Sequence, residues 1–223
     1  MQVSETPAAP GRPLTDYPRP SVAVDVAVLT VVDGAVTVLV VDHPRGLALP
    51  GTFLHPGERL ADAARRALRD KARLDGIDFR QLAMLDDPDR DDRGWVLSMA
   101  HCAAAPATAL PDDSHLLPVD DVARLAFDHA EIVALAVADL RTTYATAVDP
   151  ARLLGDDFTV LELRRLYEAV YGRTYPKDSF RRHLSHGMTP TGELRRTGAG
   201  RPAEVFRRTD APLPPSTASF LFR

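Results

Sequence analysis

Cys102 is the single cysteine in 223 residues, so no intramolecular disulfide can form. Its setting in the apolar run VLSMAHCAAA points to a buried, inert thiol. No apolar run approaches the length needed to cross a bilayer. The opening stretch MQVSETPAAPGRPLTDYPRP lacks a basic start followed by an apolar core, so no secretory signal is read there. A cytoplasmic protein without a membrane partner is expected. The seven histidines supply no ligand set: His183 and His186 stand three apart but have no acidic or cysteine partner nearby in sequence, and no zinc is expected. No Gly-x-Ser-x-Gly nucleophile motif occurs.

What is present is ordinary globular composition, 45% apolar and 26% charged, in a chain long enough for two domains with cores of their own. The net charge of −4 is unevenly spread. Residues 151–223 carry 13 Lys or Arg against 8 Asp or Glu, so the remainder of the chain is distinctly acidic. Such asymmetry implies that the C-terminal part meets a polyanion while the N-terminal part does not; a basic solvated face is the plainer alternative.

Along the chain, residues 1–20 are rich in Pro, Ala and Thr and read as a flexible arm. Residues 21–32 and 35–42 are dense in valine and separated by Asp33-Gly34, which predicts a hairpin buried on both faces of a helix-covered sheet. Leu60, Ala63, Ala64, Ala67 and Leu68 recur at amphipathic helical spacing. Residues 81–85 and 95–104 read as strands flanking the polar loop DDPDRDDRG, and residues 128–144 as a long helix. At its start His129 either caps the helix or lines a pocket, capping being preferred. Asp149-Pro150 marks a boundary. Beyond it, Asp157 or Thr159 caps a helix ending near Gly172. A second helix over 177–186 buries Phe180 and Leu184, and a basic hairpin follows Gly187. Residues 210–223 read as a tail.

The stretch LPGTFLHPGERLADAARRALRDKARL resembles the Nudix box, a glycine loop leading into a metal-binding helix. Glu58 and Arg66 match the pattern. Ala67, Asp70 and Lys71 stand where the family carries magnesium-binding carboxylates, and Thr52 and Arg73 replace box glycines. Positions 67, 70 and 71 share one helical face, so a hard cation there would meet a methyl group and an ammonium in place of two carboxylates. No catalytic residue and no bound metal or cofactor are therefore expected. The ordered set YPRPSVAVDVAVLT, LPGTFLHPGE, PDRDDRGW, FDHAEI, FTVLELRRLYEAVYG, KDSFRRHL and GRPAEVFRR resembles the NrtR-type, Nudix-related transcriptional regulators of NAD metabolism.

The resemblance implies an α/β fold, a Nudix-like α/β/α sandwich with a mixed sheet over 21–148, followed by a winged helix-turn-helix domain over 149–209. It further implies a homodimer on a double-stranded DNA operator, with ADP-ribose or a related nucleotide as effector. Arg45, Glu58, Arg66, Arg93 and Trp95 are the effector-binding candidates, because guanidinium groups pair with diphosphate and an indole stacks on adenine. Arg66 serves equally well to tie its helix to a neighbouring loop. Lys177, Ser179, Arg181 and Arg182 on the second helix are the base-reading candidates, and Arg195, Arg196 and Arg201 on the hairpin are candidates to contact phosphate or reach a minor groove. Glu58 and Asp70 keep open the alternative of a Nudix hydrolase acting on a nucleoside diphosphate derivative, and a ligand-binding adaptor is a third class.

Overall fold

A computed structural model describes Gly11, residues 17–196 and residues 202–223. The expected arm over 1–20 thus falls mostly outside the described residues. The sheet is organised around β1 (Ser21–Val32), whose residues 23–30 are all buried. It turns through Asp33 and Gly34, both at positive φ (50° and 78°), into β2 (Ala35–His43), with Val32 opposite Ala35. Two consecutive left-handed residues give the tight turn whose twist suits a hairpin. Short β3 (Gly46–Ala48) pairs with β2, and β4 (Gly51–Phe53) runs antiparallel to β1.

After α1 (Leu60–Ala72) come β5 (Arg80–Leu85) and β6 (Val96–Ala104), the latter parallel to β1 over nine residues. β7 (His115–Pro118) completes a seven-stranded mixed sheet by pairing with β2. Side chains alternate along β1: Val24, Val26 and Val28 pack with α1, while Ala27 and Leu29 pack with α2 (His129–Tyr144). Ala63, Ala64 and Ala67 let α1 lie close on the sheet. Arg73 closes α1 in the left-handed conformation (φ 53°), the shape a glycine adopts without strain, and its guanidinium pairs with Asp113. The expected sandwich is present.

The second half begins with β8 (Asp157–Thr159) and α3 (Val160–Tyr171), where Thr159, rather than Asp157, forms a reciprocal capping box with Glu162. Then follow α4 (Lys177–Leu184), β9 (Met188–Arg195) and β10 (Ala203–Arg208), the last lying between β8 and β9. This is the expected winged helix-turn-helix, although α4 stops at Leu184 and a 3₁₀ turn takes up Ser185–Gly187. Residues 210–223 are not the tail that the sequence suggested. Pro215–Leu221 forms α5, with Thr217 and Leu221 fully buried. The Tyr175 hydroxyl donates to the Leu221 carbonyl at 2.8 Å, and His183 stacks on Phe220 at 4.3 Å. The turn chemistry of the prolines masked a helix with proline at its first position, where no N–H is needed.

The two halves share one apolar core that runs from Ala27 and Leu29 through Tyr144 and Val148 to Phe158, Tyr167 and Phe180. The junction is closed by Asp149, which is wholly buried at φ 43°. It accepts from the Tyr144 hydroxyl (2.7 Å), the backbone N–H groups of Leu153 (2.8 Å) and Leu154 (3.0 Å), and Arg208 Nη2 (2.7 Å). Gly187 is required beside it, since a Cβ there would collide with Val148. Asp149→Ala should lower unfolding free energy by about 3–5 kcal/mol, because it strands a half-enclosed arginine and two amide donors. Chemical denaturation checks this, and a loss under about 1 kcal/mol would show the tie to be dispensable.

Candidate functional site

A buried carboxylate of the sandwich half sits where valine-rich β1 carries Asp25. Ser98 Oγ donates to Asp25 Oδ2 at 2.6 Å, His129 Nε2 lies 3.3 Å from Oδ1, and Arg90 approaches at 3.8 Å. Burial opposes ionisation of Asp25, but the hydrogen bonds of His129 and Ser98 and the charge of Arg90 together hold its carboxyl below the usual range. His129 Nδ1 accepts from the Leu49 N–H at 2.9 Å, which places the ring proton on Nε2, facing Asp25. His129 thus lines the pocket and does not cap α2. Gly51 opposes Asp25 across the β1–β4 pair, and a Cβ there would collide with Asp25 Oδ1 and come within 3.0 Å of the Val24 carbonyl.

Above this floor opens a cleft of about 160 Å³, walled by Phe53, Phe127, His43 and Arg93. Phe127 holds φ at 57°, a strained setting for a bulky residue that persists only where the surroundings impose it. Its ring packs edge-on to His43 and lies under the guanidinium groups of Arg45 (5.2 Å) and Arg93 (5.5 Å). Arg93 also faces Phe53 and is oriented by Asp91, whose carboxyl it holds down at about 2. Arg45 stands at the rim, paired with Asp92 at 2.5 Å. Arg90 makes a two-pronged bond to Asp128 (2.6 and 2.8 Å) that fastens the polar loop to the start of α2. The cleft offers two aromatic faces, a cation between them and buried hydrogen-bonding groups. Its volume is below the roughly 300 Å³ of a site that encloses a whole small ligand, so it takes one ring or sugar of a larger one.

Of the five effector-binding candidates, the structure brings Arg93 into the cleft and Arg45 to its edge. Glu58 and Arg66 are joined to each other outside it: Arg66 Nε and Nη2 bond the two Glu58 oxygens at 2.9 and 2.8 Å. Arg66 also holds Thr52 Oγ1 (3.0 Å) and the Phe53 carbonyl (2.9 Å), and the His55 N–H donates to Glu58. Arg66 therefore ties its helix to the loop. Trp95 is exposed and lies outside the cleft, whose rings are Phe53 and Phe127. Asp25, Arg90 and Phe127 were missed. The available signal was Asp25 itself, a lone carboxylate within the otherwise apolar run VAVDVAVL of β1.

The magnesium implied by the Nudix fold does not fit these residues. Ala67 presents a buried methyl, Asp70 points to solvent beside Arg69, and both Glu58 oxygens are occupied by Arg66. Among the described residues no three His, Cys, Asp or Glu side chains form a group able to hold a metal ion.

At the other end of the molecule, α4 buries Phe180 and Leu184 and exposes Lys177, Arg181 and Arg182, with Ser179 half-buried. Arg181 is positioned by Glu204 at 2.9 Å and by the Phe206 ring. Arg195 is engaged inside the domain, bonding Glu162 at 3.1 Å and the Asp157 carbonyl at 3.0 Å, so a phosphate would compete with those partners. Arg196 is exposed at the end of the wing strand, and Arg201 lies outside the described residues.

Two outcomes follow from the geometry. Glu58, held down at about 2 first by its Arg66 hydrogen bonds and then by the His55 N–H, is ionised in the fold well below the pH at which it is protonated in the unfolded chain. Its contribution is fully present above the ordinary carboxylate pKa and is lost as pH falls from about 5 to about 2. Urea melts across that window should show a shallower acid loss for Glu58→Gln; parallel curves would contradict the assignment. Gly51→Ala should displace the Asp25 carboxylate and destabilise the fold by about 1–3 kcal/mol, measured the same way.

Family models match both halves, a NUDIX domain over residues 20–136 and an NrtR DNA-binding winged helix domain over 150–208. The chain is 28% identical over 209 residues, 86% of its length and 84% of the relative's, to the ADPR responsive transcriptional repressor NtrR of Acinetobacter baylyi. It superposes on the crystal structure of Shewanella oneidensis NrtR complexed with a 27mer DNA with a TM-score of 0.70 at 29% identity, covering 89% of this chain and 95% of that one. The NUDIX domain of the same Shewanella protein, complexed with ADP ribose, matches at 26% identity with a TM-score of 0.51, covering 58% of this chain and 94% of that one. The Nudix-type cleft, the altered box and the winged helix thus coincide in one chain, which belongs to the NUDIX family and carries an NrtR-type DNA-binding winged helix.

Proposed function

We propose that this chain is a transcriptional repressor that binds operator DNA through its winged helix and ADP-ribose, or a closely related nucleotide, in the Asp25–Phe127 cleft, without hydrolysing it. The observation that carries this reading is the pairing of an outward basic recognition helix with a Nudix cleft whose metal-binding positions hold Ala67 and Lys71. Magnesium-assisted cleavage needs carboxylates to hold the cation against a diphosphate. Here Arg93 and Arg45 answer the diphosphate charge instead, and Phe53 and Phe127 supply ring faces for a base or ribose.

Two copies joined through their Nudix halves would present two α4 helices to half-sites about one helical turn apart. Repression sets the partner as double-stranded DNA and the compartment as that of the chromosome, the cytoplasm. The genes controlled are those of NAD or related nucleotide metabolism.

Selection of bound DNA from a random library, with and without ADP-ribose, tests the reading. Enrichment of one near-palindromic motif is expected, and equal retention of all sequences would overturn it. Arg182→Ala should cost about 1–3 kcal/mol per half-site at the base it reads and relax preference there. Arg93→Ala should weaken ADP-ribose binding roughly tenfold or more in calorimetry. With ADP-ribose and magnesium or manganese, turnover should stay far below about 1 per second. It should remain so in the Ala67→Glu/Lys71→Glu double variant, because Ala67 is buried and a carboxylate there has no room to reach a cation.

A further inference from the structure

A second cleft, of about 790 Å³, opens between the two halves of the chain. It lies within the range of roughly 300–1,000 Å³ of small-molecule sites and is far roomier than the Asp25 cleft. Three arginines reach it from separate places: Arg141 from α2, Arg165 from α3 and Arg173 from just beyond the α3 C-cap. None forms an ion pair with a described residue. The Arg141 stem is fixed, since its Nε donates to the Val170 carbonyl at 2.8 Å, leaving its two outer nitrogens for another partner. The Arg173 guanidinium lies over the Tyr175 ring at 5.4 Å.

The nearest acid, Glu168, is already engaged by the Tyr175 N–H at 2.9 Å and by Arg164 at 3.6 Å. Asp33, at the β1–β2 turn, and Asp120, in the 3₁₀ segment after β7, also line the cleft and make no ion pair with a described residue either. Val137 adds an apolar surface to the same lining. Three cations lining one cleft repel each other until an anion enters, and guanidinium groups hold phosphate oxygens by paired N–H bonds. Carboxylates in the same lining suit hydroxyl or amino donors.

We propose that this cleft is a second nucleotide site, distinct from the Asp25 cleft, with the phosphates of a nucleoside phosphate on Arg141, Arg165 and Arg173 and its ribose hydroxyls or base amino group on Asp33 and Asp120. Because α2 belongs to the sandwich and α3 to the winged helix, a ligand there touches both halves at once.

Calorimetric titration of the full chain with ADP tests this, using wild type, Arg93→Ala, and the exposed pair Arg165→Ser/Arg173→Ser. Two ADP per chain are expected for wild type and one for each variant, with the pair variant weakened roughly tenfold or more at the second site only. Asp120→Asn should weaken the same event and leave the other unchanged. One ADP per chain in wild type, unaffected by the arginine pair, would overturn the site. So would a pair variant that keeps both events and loses DNA affinity, which would make Arg165 and Arg173 contacts to DNA phosphate. A single event lost in the pair variant and kept in Arg93→Ala would uphold this site and refute the Asp25 cleft, so the two readings fail separately.

Discussion

The orientation of the winged helix on the sandwich depends on one buried carboxylate. Asp149 has no access to water, and its charge is met by Tyr144, by two backbone N–H groups and by Arg208 of the wing strand. A buried ion of this kind tolerates no loosening, because separating any partner leaves charge unsolvated. The Tyr167 hydroxyl, donating to the Tyr144 and Ala147 carbonyls, closes the same junction from α3. α2 carries the connection onward. Its first residue, His129, forms the floor of the Asp25 cleft, and its last, Tyr144, bonds Asp149. Sixteen helical residues span about 24 Å as a rigid rod. The Asp25 cleft and the Asp149 junction therefore lie at opposite ends of one stiff element.

The Nudix box serves here as a scaffold. Arg66 and Glu58 lock the loop to the helix, Arg73 keeps the left-handed close of α1 that glycine would otherwise supply, and Ala67 seals the helix against the sheet. These contacts preserve the shape of the cleft without the carboxylates that would draw in a divalent cation. What the cleft retains is strained Phe127, the Arg93 held by Asp91, and the His129 ring against the buried Asp25 carboxylate.

Much of the architecture was legible in the sequence because local rules decided it. Alternating valines, Asp33-Gly34, the Thr159 and Glu162 pair and the helical spacing from Leu60 each act within a few residues. The cleft was harder to read because its members meet across β1, β4, β6, the polar loop and α2. Asp25 looked like an interruption in a valine strand, Arg90 like one charge among many, and Phe127 like an ordinary apolar residue. Their roles arise from contacts more than 25 positions apart, which periodicity does not encode. Trp95 shows the converse: its indole suits a nucleotide base by chemistry but lies outside the cleft, whereas Arg66 makes the loop tie that was the other reading of its position. The C-terminal helix was hidden by prolines that start it and by partners, His183 and Tyr175, that belong to other elements.

If α2 and Asp149 join the cleft to the winged helix, nucleotide and DNA cannot bind independently. Thermodynamic linkage makes the effect reciprocal: the factor by which DNA changes nucleotide affinity must equal the factor by which nucleotide changes DNA affinity. The direct measurement is the ADP-ribose dissociation constant of the full chain, taken free and saturated with its selected operator. A difference of about 5- to 150-fold is expected, matched by the shift in operator affinity at saturating ADP-ribose. Equal constants in the two states would contradict the account, because the two sites would then be energetically separate.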